Sequence, residues 1–169
     1  MLKISIPKTQ KQLSATKTLS HQYLQWLTQE GGITTCYLNE QNAFAIVDAL
    51  PLHHEKPEGA LLLAKWQNEP AGTIAITKID DHVCEMKRLY VNPEFRKHKI
   101  GEQLIKRAMR HAKALGYKTM RLDTLPKTMS AAYHLYIQLG FKSIEKYNGN
   151  TTNGVVFMEK DLKKTRATD

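Results

Sequence analysis

The sequence predicts an α+β fold, a mixed central sheet with helices on its faces. Three observations lead there. Before residue 58 the apolar residues recur at helical spacing, from Glu58 three short extended segments follow one another, and from Ile100 helical and extended patterns alternate. With no internal repeat or low-complexity linker, 169 residues suit one domain spanning 1–169.

Taken in order, "SHQYLQWL" sets Tyr23, Leu24 and Leu27 on one helical face, with Ser20 as a capping residue and the glycines at 31 and 32 as the stop. A second short helix is predicted over "NEQNAFAIVDAL", ended by Pro51. "GALLLAKW", "AGTIAITKI" and "VCEMKRLYV", separated by "NEP" and "DDH", read as a meander of three antiparallel strands. The next helix carries Ile100, Leu104, Ile105, Ala108, Ala112 and Leu115 as an apolar stripe and stops at Gly116. A strand over "TMRLDT" follows, and the strands on either side of this helix are expected to be parallel neighbours, as a strand–helix–strand crossover makes them. After Pro126 comes a helix over "MSAAYHLYIQLG", then "FKSIEKY" and "GVVFMEKDL" as a C-terminal hairpin about the polar turn "NGNTTN". Residues 163–169 are expected to be a frayed tail.

A net charge of +9 and a pI near 9.5 call for an anionic partner without choosing among nucleic acid, a phosphorylated small molecule and a membrane surface. Cys36 and Cys84 have no CxxC or His-rich partner spacing, which predicts reduced thiols in a cytoplasmic protein. His53, His54, His82, His98, His111 and His134 follow no metal-ligand spacing, so no metal is expected. "MLKISIPKTQKQL" lacks the apolar stretch of a signal peptide, and "ALLLA" is too short to cross a bilayer.

The densest charge lies in "EFRKHKIG", residues 94–101, directly ahead of a helix. A loop feeding a helix N-terminus presents backbone N–H groups and the positive end of the helix dipole, and phosphates bind there. Arg96, Lys97 and Lys99 add charge, and Gly101 removes a side chain where a ligand or a neighbouring strand comes close. The competing reading is a solvated basic loop. Neither GxxxxGK[ST] nor GxGxxG is present, which sets aside two familiar phosphate loops.

"CEMKRLYVNPEFRKHKIGEQLIKRAM" resembles the acyl-CoA-binding motif of the GNAT superfamily of N-acetyltransferases, where an LYV-like strand end leads into an R-x-x-G-x-G/A loop. "GYKTMRLDTLPKTMSAAYHLYIQLGF" is similar to that family's next strand and its A-x-x-L-Y-x-x-x-G-F helix. The likeness covers roughly residues 58–162, and the order of elements is the family's own.

The resemblance implies a GNAT-type sheet whose parallel central pair splays apart, and acetyl-CoA as cosubstrate for transfer to an amine. The backbone of Leu89, Tyr90 and Val91 would pair with the pantetheine arm, and the N–H groups of Arg96, Lys97, His98, Lys99, Ile100 and Gly101 would hold the pyrophosphate. Tyr136 matches the general acid that protonates the departing thiolate; its competing role is a core aromatic. Glu85 stands where many members carry a carboxylate base, or else it is a strand-surface partner of Lys87 or Arg121. Asp123 is the spare carboxylate.

This chain departs from the family pattern in three places. Lys97 stands where many members have glycine, Lys99 occupies the first glycine of the loop motif, and Met129 replaces a frequent asparagine, with Thr128 or Ser130 as substitute polar partners. Homodimer formation carries over only by analogy. Two other readings stand beside the N-acetyltransferase: a basic nucleic-acid-binding module, disfavoured by the lack of any RNP, helix-turn-helix or finger pattern, and a GNAT-fold acyl-CoA binder without catalysis. The acceptor is unread, since the N-terminal helices and "YNGNTTNG" carry no motif.

Overall fold

The computed structural model describes residues 1–34, 38–39, 42–50 and 58–163. Cys36, Pro51, His53, His54 and the tail from residue 164 lie outside the described residues. Among the described residues seven strands form one mixed sheet in the order β1-β2-β3-β4-β5-β7-β6. The strands are β1 (Leu2–Ser5), β2 (Ala60–Trp66), β3 (Glu69–Lys78), β4 (Val83–Val91), β5 (Thr119–Thr124), β6 (Lys142–Ile144) and β7 (Val156–Asp161). The helices are α1 (Gln10–Gln29), α2 (Ala43–Asp48), α3 (Ile100–Ala114) and α4 (Ser130–Gln138).

The predicted meander, parallel pair and C-terminal hairpin are all present, with two corrections at the N-terminal side. Residues 2–5 form an extra strand, which pairs antiparallel with β2 from Leu2 opposite Trp66 to Ser5 opposite Leu63. Helix α1 starts at Gln10, well ahead of Ser20. Thr9 accepts from the Gln12 N–H while the Gln12 side chain accepts from the Thr9 N–H, a reciprocal capping box. Ser20 is therefore no cap; it sits buried in mid-helix, its hydroxyl donating to the Thr16 carbonyl at 2.9 Å. The first turns of α1, "QKQLSATK", are mostly polar, so apolar periodicity did not reach them.

Both faces of the sheet are covered, which explains why "ALLLA" is continuous rather than alternating. Leu62, Ile74 and Ile76 pack with Leu104, Ile105 and Ala108 of α3 on one face, while Leu61 and Ala75 meet Leu24, Leu27 and Val47 of α1 and α2 on the other. At the β2–β3 turn Gln67 and Asn68 both take positive φ, 50° and 72°, as a two-residue hairpin of type I′ demands.

Two irregularities prepare the site. Ala75 opposes Lys87 but Thr73 opposes Tyr90, so two steps along β3 are matched by three along β4 and Arg88 is the extra residue of a bulge. Arg88 has φ of +53°, a backbone conformation that is costly outside glycine. The second irregularity is that β4 and β5 pair in parallel only at Val83–Thr119, Cys84–Met120 and Glu85–Arg121. Beyond Glu85, β4 stays with β3 and β5 stays with β7, and the two central strands part.

Candidate active site

The parting strands open a cleft of about 1040 Å³. Its lining takes in Glu85 to Val91 of β4, the loop and first turn of α3 at 95–97 and 99–102, residues of α4, and Tyr23 and Trp26 of α1 with the 148–150 turn. Each boundary follows from the chain's local chemistry. The bulge turns β4 away from β5, leaving backbone groups on that side of β4 without a ladder partner, so they face the cleft.

The end at α3 presents helix N–H groups together with several cations. No side chain caps α3, and its first helical bond runs from the Gln103 N–H to the Lys99 carbonyl, so the N–H groups of Ile100, Gly101 and Glu102 have no acceptor within the helix. Lys97 and Lys99 adopt φ of 72° and 56°, the left-handed geometry of the glycines they replace. The loop thus keeps the glycine path despite its lysines, at a cost of roughly 1–2 kcal/mol per residue. Arg96, Lys97, Lys99, Ile100 and Gly101 all border the cleft. His98 does not; its imidazole stacks on Trp66 with centroids 4.4 Å apart. A Cβ added at Gly101 would meet Val91 at 3.7 Å and Leu135 at 4.0 Å, ordinary contact distances, so protein packing alone does not require glycine there.

Leu89, Tyr90 and Val91 border the cleft, with the Tyr90 ring 6.1 Å from that of Tyr23. Tyr136 reaches it from α4, buried and set edge-on to Phe141 at 5.8 Å. Burial, then the proximity of Tyr23 and of the Asp123 carboxylate, pushes its phenol well above the ordinary tyrosine range, so it stays protonated near neutral pH. Glu85 is buried at 6% exposure, and its Oε1 lies 2.9 Å from Lys87 Nζ. Arg121, its register neighbour on β5, turns instead to Glu159 at 3.0 Å. Crowding by protein and then the Arg88 charge lower the acidity range of the Lys87 ammonium, while Asp123 opposes both.

Asp123 accepts from Asn148 Nδ2 at 2.7 Å and borders the same cleft. Tyr23 is pushed up to about 12, by burial first and the Asp123 carboxylate second, with Arg88 pulling the other way. Tyr23, Arg88 and Asn148 were not singled out in the sequence. Arg88 lies inside "KRLYV" but its bulge has no sequence signature, and Tyr23 reads as one more apolar position on a helix. At Met129 the sulfur accepts from the Thr124 hydroxyl at 3.8 Å, and Thr128, Met129 and Ser130 all line the cleft. Among the described residues no group of three or more His, Cys, Asp or Glu is placed to hold a metal ion, and no helix is long and apolar enough to cross a membrane.

A profile described as the acetyltransferase (GNAT) family matches residues 22–141. An uncharacterized N-acetyltransferase of Schizosaccharomyces pombe is 35% identical over 166 residues, 96% of this chain and 96% of that protein. A GNAT-family acetyltransferase of Staphylococcus aureus superposes with a TM-score of 0.76 at 18% identity, over 96% of this chain and 99% of the other. The PaiA N-acetyltransferase of Thermoplasma acidophilum, solved in complex with coenzyme A, gives a TM-score of 0.71 at 20% identity over 95% and 99%. The family match and the relative at 35% identity thus define an acetyl-CoA-dependent N-acyltransferase. The chain belongs to the GNAT family of acetyltransferases.

Proposed function

We infer that this protein transfers an acetyl group from acetyl-CoA directly to the amine of a small-molecule acceptor. The observation that carries the reading is the parting of β4 from β5 beside the uncapped N-terminus of α3, with Tyr136 across the gap. The residues present fit the cosubstrate. Unpaired N–H groups at 100–102, with Arg96, Lys97 and Lys99, suit a diphosphate. The free backbone side of Leu89 to Val91 suits an arm bearing amides, and an N–H there would favour negative charge developing on a carbonyl oxygen.

Acetyl-CoA supplies an acyl carbon activated by its thioester. The chain's own part is to orient, to exclude water and to move protons. Tyr136, protonated at neutral pH, holds the proton that a departing thiolate requires. An ammonium must lose a proton before it attacks; of the carboxylates bordering the cleft, Glu102 pairs with Lys106 at the start of α3, and Glu85 and Asp123 are the candidates for that task. Glu85 works against its pairing with Lys87. Asp123 has one oxygen occupied by Asn148, leaving the other for a partner.

The first test is a thermal shift. Acetyl-CoA at a hundredfold excess over its Kd should stabilise the protein by about 2.7 kcal/mol, or roughly 5–10 °C, and thiol release should follow when an amine is supplied. No shift would sink the reading. A shift without thiol release across a broad amine panel would leave a binder that does not catalyse.

A further inference from the structure

A second, smaller cavity of about 130 Å³ adjoins the cleft and shares with it a wall that includes Tyr23, Leu27, Asp123 and Met129. None of the loop residues 95–102 lines it. Beyond the shared wall its described lining is Ile33, Leu125, Thr152 and Val155, three aliphatic side chains and one hydroxyl. Asp123 is the one charged residue among those described around it. An apolar cavity of about 150 Å³ is large enough for benzene, so this chamber suits a compact hydrocarbon group of about four to six carbons. A second charge carried into it is penalised, because beyond Asp123 nothing in the described lining compensates its desolvation.

The carboxylate at this boundary is held in place without being neutralised. Asp123 Oδ2 accepts from Asn148 Nδ2 at 2.7 Å, and Asn148 Oδ1 accepts in turn from the Asn150 N–H at 3.0 Å, which fixes the amide with its N–H donors toward Asp123. Asn148 is neutral, so it orients the carboxylate and leaves the negative charge standing. Asp123 takes part in none of the ion pairs seen among the described residues. Arg121, two residues earlier and so on the same face of β5, is committed elsewhere: its Nε lies 3.0 Å from Glu159 and its guanidinium 5.4 Å from the centre of the Tyr147 ring. A half-buried carboxylate with no cation beside it suits an ammonium.

Two other kinds of amine fit this geometry poorly. A diamine brings a second ammonium into a lining whose one carboxylate is already used. An amino acid brings a carboxylate close to Asp123, and the cations carried by β4 and β5 are engaged already: Lys87 with Glu85, Arg121 with Glu159, and Arg88 with a partner of its own.

We propose that the acceptor is a primary monoamine bearing a compact apolar group and no carboxylate, its ammonium on Asp123 and its hydrocarbon in the chamber behind Tyr23. The assignment rests on the acetyltransferase reading above and names the class of its acceptor.

Calorimetry with acetyl-CoA alone comes first, and absence of binding overturns that reading together with this one. With CoA present, binding of 3-methylbutylamine, ethylamine, 3-methylbutanol, putrescine and L-leucine is then compared. The branched amine should bind at least about tenfold tighter than ethylamine, the discrimination a hydrophobic pocket gives. It should exceed the alcohol of the same skeleton by about tenfold, the worth of a charge-assisted contact, and putrescine and leucine by at least as much. Asp123→Asn should bring the branched amine and its alcohol to within about twofold of each other by removing that charge. Val155→Phe should abolish the preference for the branched amine over ethylamine by filling the chamber, with an unchanged acetyl-CoA Kd reporting an intact fold. Should Val155→Phe lose acetyl-CoA binding as well, the milder Val155→Leu is read in its place. If acetyl-CoA binds but the branched amine gains nothing over ethylamine or over its alcohol, or putrescine or leucine binds more tightly, the assignment is wrong and the acetyltransferase reading stands.

Discussion

Tyr136 is the residue whose environment and proposed task agree most closely. Its buried phenol is raised by lack of solvent and by Asp123, so at neutral pH it is a proton donor and not a phenolate. Tyr136→Phe should lower kcat by about a hundredfold or more, the low end of general-acid effects, while the acetyl-CoA Kd from calorimetry stays within about twofold; equal losses in both would argue for a packing role. Tyr136 was legible in the sequence because it sits inside a motif. Arg88, Tyr23 and Asn148 were not, because what recruits them is a bulge, a helix rotation and a turn hydrogen bond. His98 differs from its loop neighbours in that its ring stacks on Trp66, so any part it plays in holding a diphosphate falls to its backbone N–H.

The element that matters most is the start of α3. Its first three N–H groups lack acceptors within the helix, no side chain caps it, and two lysines ahead of it hold positive φ, a combination that suits the anion proposed for it. Gly101 offers a clean probe of that element. Since an added Cβ meets Val91 and Leu135 only at 3.7 and 4.0 Å, Gly101→Ala should leave stability unchanged or raised by up to about 1 kcal/mol in a urea titration. The same variant should weaken acetyl-CoA binding by about tenfold or more if the diphosphate approaches that backbone. Unchanged affinity would move the cofactor elsewhere. The stripe of α3 and the strand texture on either side were readable directly, while β1 was missed because a short edge strand makes its sense only against β2. "FKSIEKY" shrank to a strand of 3 residues, β6, at the sheet edge, where pairing on a single side ends early.

Across the described residues, one buried and two partly buried tyrosines share one consequence. Tyr23, at about 12 against an ordinary 10.0, is raised together with Tyr136 and Tyr147, burial being the leading cause in each. A group whose folded pKa lies above its unfolded value holds its proton more tightly when folded. The stabilisation is therefore complete below the unfolded value of 10.0 and declines as pH climbs from there through about 12. Urea midpoints should be flat with respect to these groups up to about pH 9.5 and fall steeply above pH 10. Absorbance titration of phenolate in the folded protein should lag behind that of the unfolded chain over the same window; coincident curves would show the tyrosines to be solvated.

What the sequence determined by itself was the order of elements from β2 onward, a basic loop feeding a helix and a tyrosine inside a family motif, because each depends on residues close together in the chain. Local spacing sets helical stripes, strand alternation and the approach of a loop to a helix. The tertiary structure alone decided where β4 leaves β5, that Glu85 pairs with Lys87 while Asp123 accepts from Asn148, and that a small, largely apolar chamber adjoins Asp123. These depend on the register of strands distant in sequence, on a bulge of one residue and on the packing of α1 over the sheet. Long-range geometry of that kind has no short-range pattern to announce it.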